Sequence, residues 1–139
     1  LQQAADAMWI MSSSFGPHTA QQWLELSRHM VRTLPDGGLA MHYDPAIAQA
    51  FKAMTPEVSA ASAMQLWQLY DRIHARTLLL RGAQSDLLSP ETAQAMVHRG
   101  PMAKLVEFEG VGHAPTLMAQ DQVQVVSEFL LAPEATVAA

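Results

Sequence analysis

Apolar positions in the first half of the chain recur at helical spacing, whereas in the last third they gather into short unbroken runs. Thr19 and Gln22 fit a capping box, in which the two side chains satisfy each other's unpaired backbone amides at a helix start. Trp23, Leu26, Met30 and Leu34 then repeat every three or four residues, and Pro35-Asp36-Gly37-Gly38 is expected to stop the helix. Asp44-Pro45 predicts a second start, an N-cap followed by proline at the first helical position. That helix carries Ile47, Phe51 and Met54 on one face until Thr55-Pro56. A third is predicted from about Ser62 to Tyr70, with Met64, Trp67 and Tyr70 on one face.

The period changes after Ile73. Thr77 to Leu80 is continuously apolar, as expected of a parallel strand covered on both faces. Ser89-Pro90-Glu91 opens a helix through about His98, and Gly100-Pro101 ends it. Lys104 to Phe108 predicts the next strand, and Asp121 to Leu131 a closing helix with Val123, Val126 and Leu130 inward. The order strand, helix, strand, helix places the two strands side by side and parallel, joined by a right-handed crossover. Two parallel strands leave an edge of unpaired backbone groups. Further strands encoded upstream of Leu1 are the simplest expected remedy.

Composition narrows the class. Of 139 residues half are apolar and 15% charged, a globular balance. A formal net charge of −5, with no cluster of Lys and Arg, excludes a nucleic-acid surface. The lack of cysteine excludes disulfides, thiol nucleophiles and thiolate zinc sites. No apolar run approaches the roughly 20 residues of a membrane-spanning helix, and no membrane partner is expected. The expected compartment is cytoplasmic, with any targeting segment expected upstream of Leu1. The chain opens on LQQAADAMWIM without an initiator Met or a signal-peptide charge pattern, and is expected to be cut from inside a larger protein. The closing APEATVAA is expected to fray.

The chemistry gathers where the two predicted strands end. In a parallel sheet ligands collect at the carboxyl ends of the strands, and both Asp86 and His113 follow directly on such ends. Neighbouring strands lie about 4.8 Å apart, so a carboxylate and an imidazole in adjacent exit loops can meet. Asp86 would fix the tautomer of His113, which would act as general base and then general acid. Gly110 and Gly112 give the backbone freedom to aim His113, and Pro115 stiffens the loop behind it. Leu87 and Leu88, beside the acid, are candidate substrate-pocket residues.

These segments resemble the α/β-hydrolase fold family, and specifically its capped members. LLLRGAQSDLLSPETAQAM is similar to the family's acid segment, with Gly82, Asp86 and Pro90 in register, and EGVGHAPTL to its histidine loop, with Gly112, His113, Ala114 and Pro115. The region before residue 74, including GLAMHYDPAIAQAF, looks like the cap inserted between core strands. The resemblance covers the whole chain, but as the family's C-terminal half. It implies an α/β fold class, with residues 1–74 a helical cap and 75–139 the last two strand–helix units of the core. It also implies a nucleophile–His113–Asp86 triad acting on a small, mostly apolar substrate, with no metal or organic cofactor.

The family's nucleophile elbow, G-x-S-x-G at a strand-to-helix turn, does not occur in this chain. Ser12-Ser13-Ser14 precedes Phe15-Gly16 but lacks the leading glycine and the strand. The nucleophile is therefore expected upstream, and the isolated chain is expected to be inactive. A serine there would give an ester, amide or carbon–carbon hydrolase, and an aspartate an epoxide or haloalkane hydrolase. A reading of another class is a stand-alone, non-catalytic module that homodimerises through its free strand edge or binds apolar ligands.

Other polar residues fit ordinary positions. His18, His29, His42, His74 and His98 show no metal-ligand spacing, although His42 could reach the pocket from the cap. Glu107 and Glu109 alternate with Val106 and Phe108 and are expected on the solvent side of a strand end. The nine Met and three Trp residues fall at helical spacing and are expected in the core, or in an apolar cap wall over the site.

Overall fold

The computed structural model describes residues 1–52, 55–113 and 115–133. Helix α1 (Gln2–Ser12) runs into a 3-10 turn, Ser13–Phe15, and is followed by helix α2 (Ala20–Met30). The capping box that opens α2 is complete: the Gln22 amide donates to Thr19 Oγ1 (3.2 Å) and the Thr19 amide to Gln22 Oε1 (2.9 Å). Trp23, one turn on, is buried and donates its indole N–H to the Ala5 carbonyl at 2.8 Å, fastening α2 to α1. Trp9 meets it edge-on, with ring centroids 5.2 Å apart. Ala5, Met8 and Trp23 form a buried cluster with Leu24, Leu26, Met30, Val31 and Met41 around it.

Helix α2 ends at Met30, short of the Leu34 that the apolar spacing suggested. Strands β1 (Val31–Thr33) and β2 (Leu39–Met41) follow as an antiparallel hairpin, with Val31 opposite Met41 and Thr33 opposite Leu39. Two β-branched residues flanking Arg32 favour extended backbone at this point. Pro35-Asp36-Gly37-Gly38 is accordingly a hairpin turn instead of a helix stop. Asp36 Oδ1 accepts the Gly38 amide at 2.9 Å, and Gly37 takes a φ of +82°, a conformation that suits glycine.

Helix α3 (Ile47–Lys52) starts where Asp44 Oδ1 accepts the Ala46 amide at 2.8 Å. Ile47 and Phe51 are exposed, and Met54 lies outside the described residues. Thr55-Pro56 opens helix α4 (Pro56–Tyr70), which is therefore longer than the Ser62–Tyr70 segment predicted from spacing. The pair serves both readings, because a residue before proline avoids helical backbone while proline itself suits the first helical turn.

Strand β3 (Leu78–Gly82), helix α5 (Pro90–Val97), strand β4 (Lys104–Phe108) and helix α6 (Gln120–Leu131) complete the order. The β3–β4 pair is parallel, with Leu78 opposite Lys104 and Gly82 opposite Phe108. Among the described residues each of these strands has one sheet neighbour. Ser89 caps α5 by accepting the Thr92 amide at 3.2 Å. Tyr70 donates its hydroxyl to the Met96 carbonyl at 2.9 Å, and Arg99 clasps Asp71 with two nitrogens while its guanidinium sits 4.4 Å from the centre of the Trp67 ring. These contacts hold the end of α4 against the end of α5.

Helix α6 presents a different face from the one expected. Gln122 is its buried residue, while Val123 and Leu130 are 46% and 67% exposed. The Gln122 side-chain oxygen accepts the Leu117 amide at 2.8 Å, and this bond makes burial of a polar side chain tolerable. Val126 is half-buried.

Candidate active site

Both exit loops leave the sheet at the same end. Beyond Gly82, the Ala83 amide donates to the Phe108 carbonyl and the Gln84 amide to the Val111 carbonyl, each at 2.9 Å. The loop that carries Asp86 is thus laced to the loop that carries His113 before either reaches that residue. Ser85 adds a side-chain link: its hydroxyl donates to the His113 carbonyl at 3.3 Å and accepts the Leu88 amide at 3.2 Å. Asp86 directly follows Ser85, His113 itself supplies the accepting carbonyl, and both residues are exposed. Among the described residues, the Asp86 carboxylate and the His113 imidazole form no hydrogen bond or ion pair with each other. The ring of His113 lies 6.1 Å from that of Phe15.

Glycine shapes the histidine loop in two ways. Gly110 has a φ of +72°, turning the chain out of β4. Gly112 serves close approach: its amide donates to the Ser14 carbonyl at 2.5 Å, and a Cβ there would overlap that carbonyl. Gly82 abuts the Val111 and Gly112 backbone in the same manner. The Ser12–Ser14 run therefore serves the site as backbone, with Ser14 seating the loop of His113. Ala114 lies outside the described residues.

His18 reinforces this docking from a position that spacing alone made unremarkable. Its Nδ1 lies 2.8 Å from the Gly16 carbonyl, an acceptor, so Nδ1 carries the proton. Nε2 then accepts the Thr116 hydroxyl at 2.7 Å. The ring also lies 5.6 Å from that of Trp23, which connects the loop to the α1–α2 cluster.

Beneath the acid loop lies Arg81, only 3% exposed at the end of β3. It bonds Glu107 Oε1 across the sheet at 2.5 Å and donates Nε to the Leu88 carbonyl at 2.7 Å. Glu107 remains half in solvent, and Glu109 accepts Gln84 Nε2 at 3.4 Å, so the strand-end carboxylates brace the site. The apolar run read as a strand stops at Leu80, and spacing gave Arg81 no role. The available signal was a charge closing the run TLLLR directly before the acid loop. Leu87 is 71% exposed, and Leu88 is half-buried with both backbone groups engaged.

A separate apolar groove of about 650 Å³ runs between α4 and α5, lined by Leu66, Trp67, Tyr70, Ile73 and Met96 among others. Neither Asp86 nor His113 lines it. Among the described residues, no group of three or more His, Asp or Glu is placed to hold a metal ion. No helix among them is long and apolar enough to cross a membrane.

No protein-family model matches the chain. It is 42% identical over 122 residues to the 3-hydroxybutyrate-oligomer hydrolase of Cupriavidus necator, a match covering 86% of this chain and 42% of that protein. Its fold is similar to that of an α/β hydrolase from Novosphingobium aromaticivorans, with a TM-score of 0.72 and 34% identity over 92% of this chain and 44% of the other. It is also similar in fold to E-2-(acetamidomethylene)succinate hydrolase, with a TM-score of 0.66 at 16% identity, covering 94% and 45%. The chain thus spans less than half the length of these proteins. Over the part that it spans, the chain has the fold of the α/β hydrolases.

Proposed function

We propose that these residues form the cap and the C-terminal core of a longer enzyme that hydrolyses a short, mostly apolar ester by acyl transfer. The observation that carries the reading is the parallel β3–β4 pair, whose exit loops carry Asp86 and His113 and are tied together by the bond from the Ser85 hydroxyl to the His113 carbonyl. In this reading His113 takes the proton of a nucleophile supplied from outside the chain and returns it to the leaving alcohol. Asp86 rotates onto the imidazole when the remaining strands are in place, fixing its tautomer and stabilising its charged form. The kinship with a 3-hydroxybutyrate-oligomer hydrolase supports an oligomer of a short hydroxyacid as substrate, and hence a serine nucleophile over an aspartate.

The test uses the full-length enzyme with 3-hydroxybutyrate dimers and trimers and with p-nitrophenyl butyrate. Asp86→Asn and His113→Ala are each expected to lower kcat by roughly 10⁴-fold with little change in thermal midpoint. Retained turnover in both variants would rule out the triad. The isolated chain should show no ester hydrolysis above background. A rate that His113→Ala abolishes would instead put the nucleophile within these residues.

A further inference from the structure

We propose that Arg81 is a positioning residue for the catalytic acid, setting the acid loop from beneath. The inference rests on the triad reading, and deepens it. Arg81 is buried, and its donors reach four acceptors: the carbonyls of Ala83 (3.3 Å), Ser85 (3.5 Å) and Leu88 (2.7 Å), and the Glu107 carboxylate (2.5 Å). Three of the four belong to the loop that carries Asp86, and they bracket it on both sides. A guanidinium is suited to this task because it offers five donors in a fixed plane and keeps its charge when buried. Glu107 supplies the counter-charge from the opposing register position on β4. A buried charge held only to close a strand would need that counter-charge but not the loop carbonyls. Here most of the donors are spent on the backbone around the acid.

The consequence is specific. Loosening the loop leaves substrate binding intact but lets the Asp86 carboxylate drift from the imidazole it must orient. The experiment compares Arg81→Lys and Glu107→Gln with Asp86→Asn in the full-length enzyme. Arg81→Lys keeps a positive charge but loses the fork, and is expected to lower kcat by roughly 10²-fold, the cost of a small misplacement. KM should stay within about twofold, because no substrate contact is removed. The acidic limb of kcat/KM should move to lower pH, because an imidazolium deprived of its carboxylate partner gives up its proton more readily. Glu107→Gln, at a half-exposed position, frees the guanidinium from its anchor and should shift the limb in the same direction. It decides the matter if the lysine variant does not fold. An unchanged kcat and pH profile in the folded variants, beside an inactive Asp86→Asn, overturns the role of Arg81 alone. Full activity in Asp86→Asn overturns the triad reading, and the positioning role with it.

Discussion

Gly82 and the Val111–Gly112 segment meet backbone to backbone at the exits of β3 and β4, and Gly112 in turn meets Ser14. A methyl group at position 82 would collide with the carbonyl oxygens of Gly112 and Val111, the latter held by the Gln84 amide, and these are backbone atoms that cannot swing aside as a flexible side chain could. Gly82→Ala is therefore expected to lower stability by about 1–3 kcal/mol, the usual cost of overpacking, read from the denaturant midpoint. At this scale the sequence was partly transparent. Asp86 and His113 stand out because each follows a strand, and Gly110 and Gly112 because they give the backbone before His113 its freedom. The packing role of Gly112, the Ser85 bridge and the four acceptors of Arg81 depend on which loops lie against each other, and one-dimensional spacing does not encode that. His18 is the clearest instance, since Thr116, its partner, is 98 positions away.

Among the elements, those with a local chemical start signal were the most legible. The capping box of α2, Asp44 before α3 and Ser89 before α5 all lie where side-chain oxygens meet backbone amides. Thr19→Ala should lower stability by about 1 kcal/mol through loss of the cap, visible as a lower thermal midpoint. The elements misjudged were those in which a local signal has two meanings. Pro-Asp-Gly-Gly ends helices and turns hairpins alike, and the β-branched pair Val31 and Thr33 tipped the balance toward a hairpin. Thr-Pro closes one helix and opens the next. In α6 the apolar spacing selected Val123 and Leu130, but the hydrogen bond from Leu117 to Gln122 turned a polar residue inward.

For the molecule as a whole, the joint between α4 and α5 is electrostatic as well as apolar. The hydrogen bond from the Arg99 guanidinium holds the Asp71 carboxyl below its ordinary value of about 3.9, with the nearby positive charge acting in the same direction. A carboxyl whose folded value is depressed contributes stability that is present above its unfolded value and is lost as pH falls through the folded one. Thermal midpoints of the wild type should therefore decline below about pH 4, and Asp71→Asn should flatten that decline. The two-stranded parallel sheet, the exposed apolar residues of α4 and the shared length with relatives more than twice as long fit one picture. That is the picture proposed above, with β3 and β4 as part of a larger sheet, and their order with α5 and α6 was readable because alternation of strand and helix is itself a sequence pattern.

The contact between the turn at Ser14–His18 and the loop at Gly112–Thr116 also has a meaning in time. A ribosome makes the two sides in order, and at 5–20 residues per second the earlier turn waits roughly 5–20 s for the residues that will cover it. Until then α1 and α2 can pair through Trp23, but the His18 ring and the Ser14 carbonyl face water. Nascent chains stalled before Gly110 should thus be cut by protease at the Ser12–Pro17 segment. Chains stalled far enough beyond Gln122 for the loop to clear the exit tunnel should resist, so that the candidate histidine is seated only once the partner made about a hundred residues earlier has met its loop.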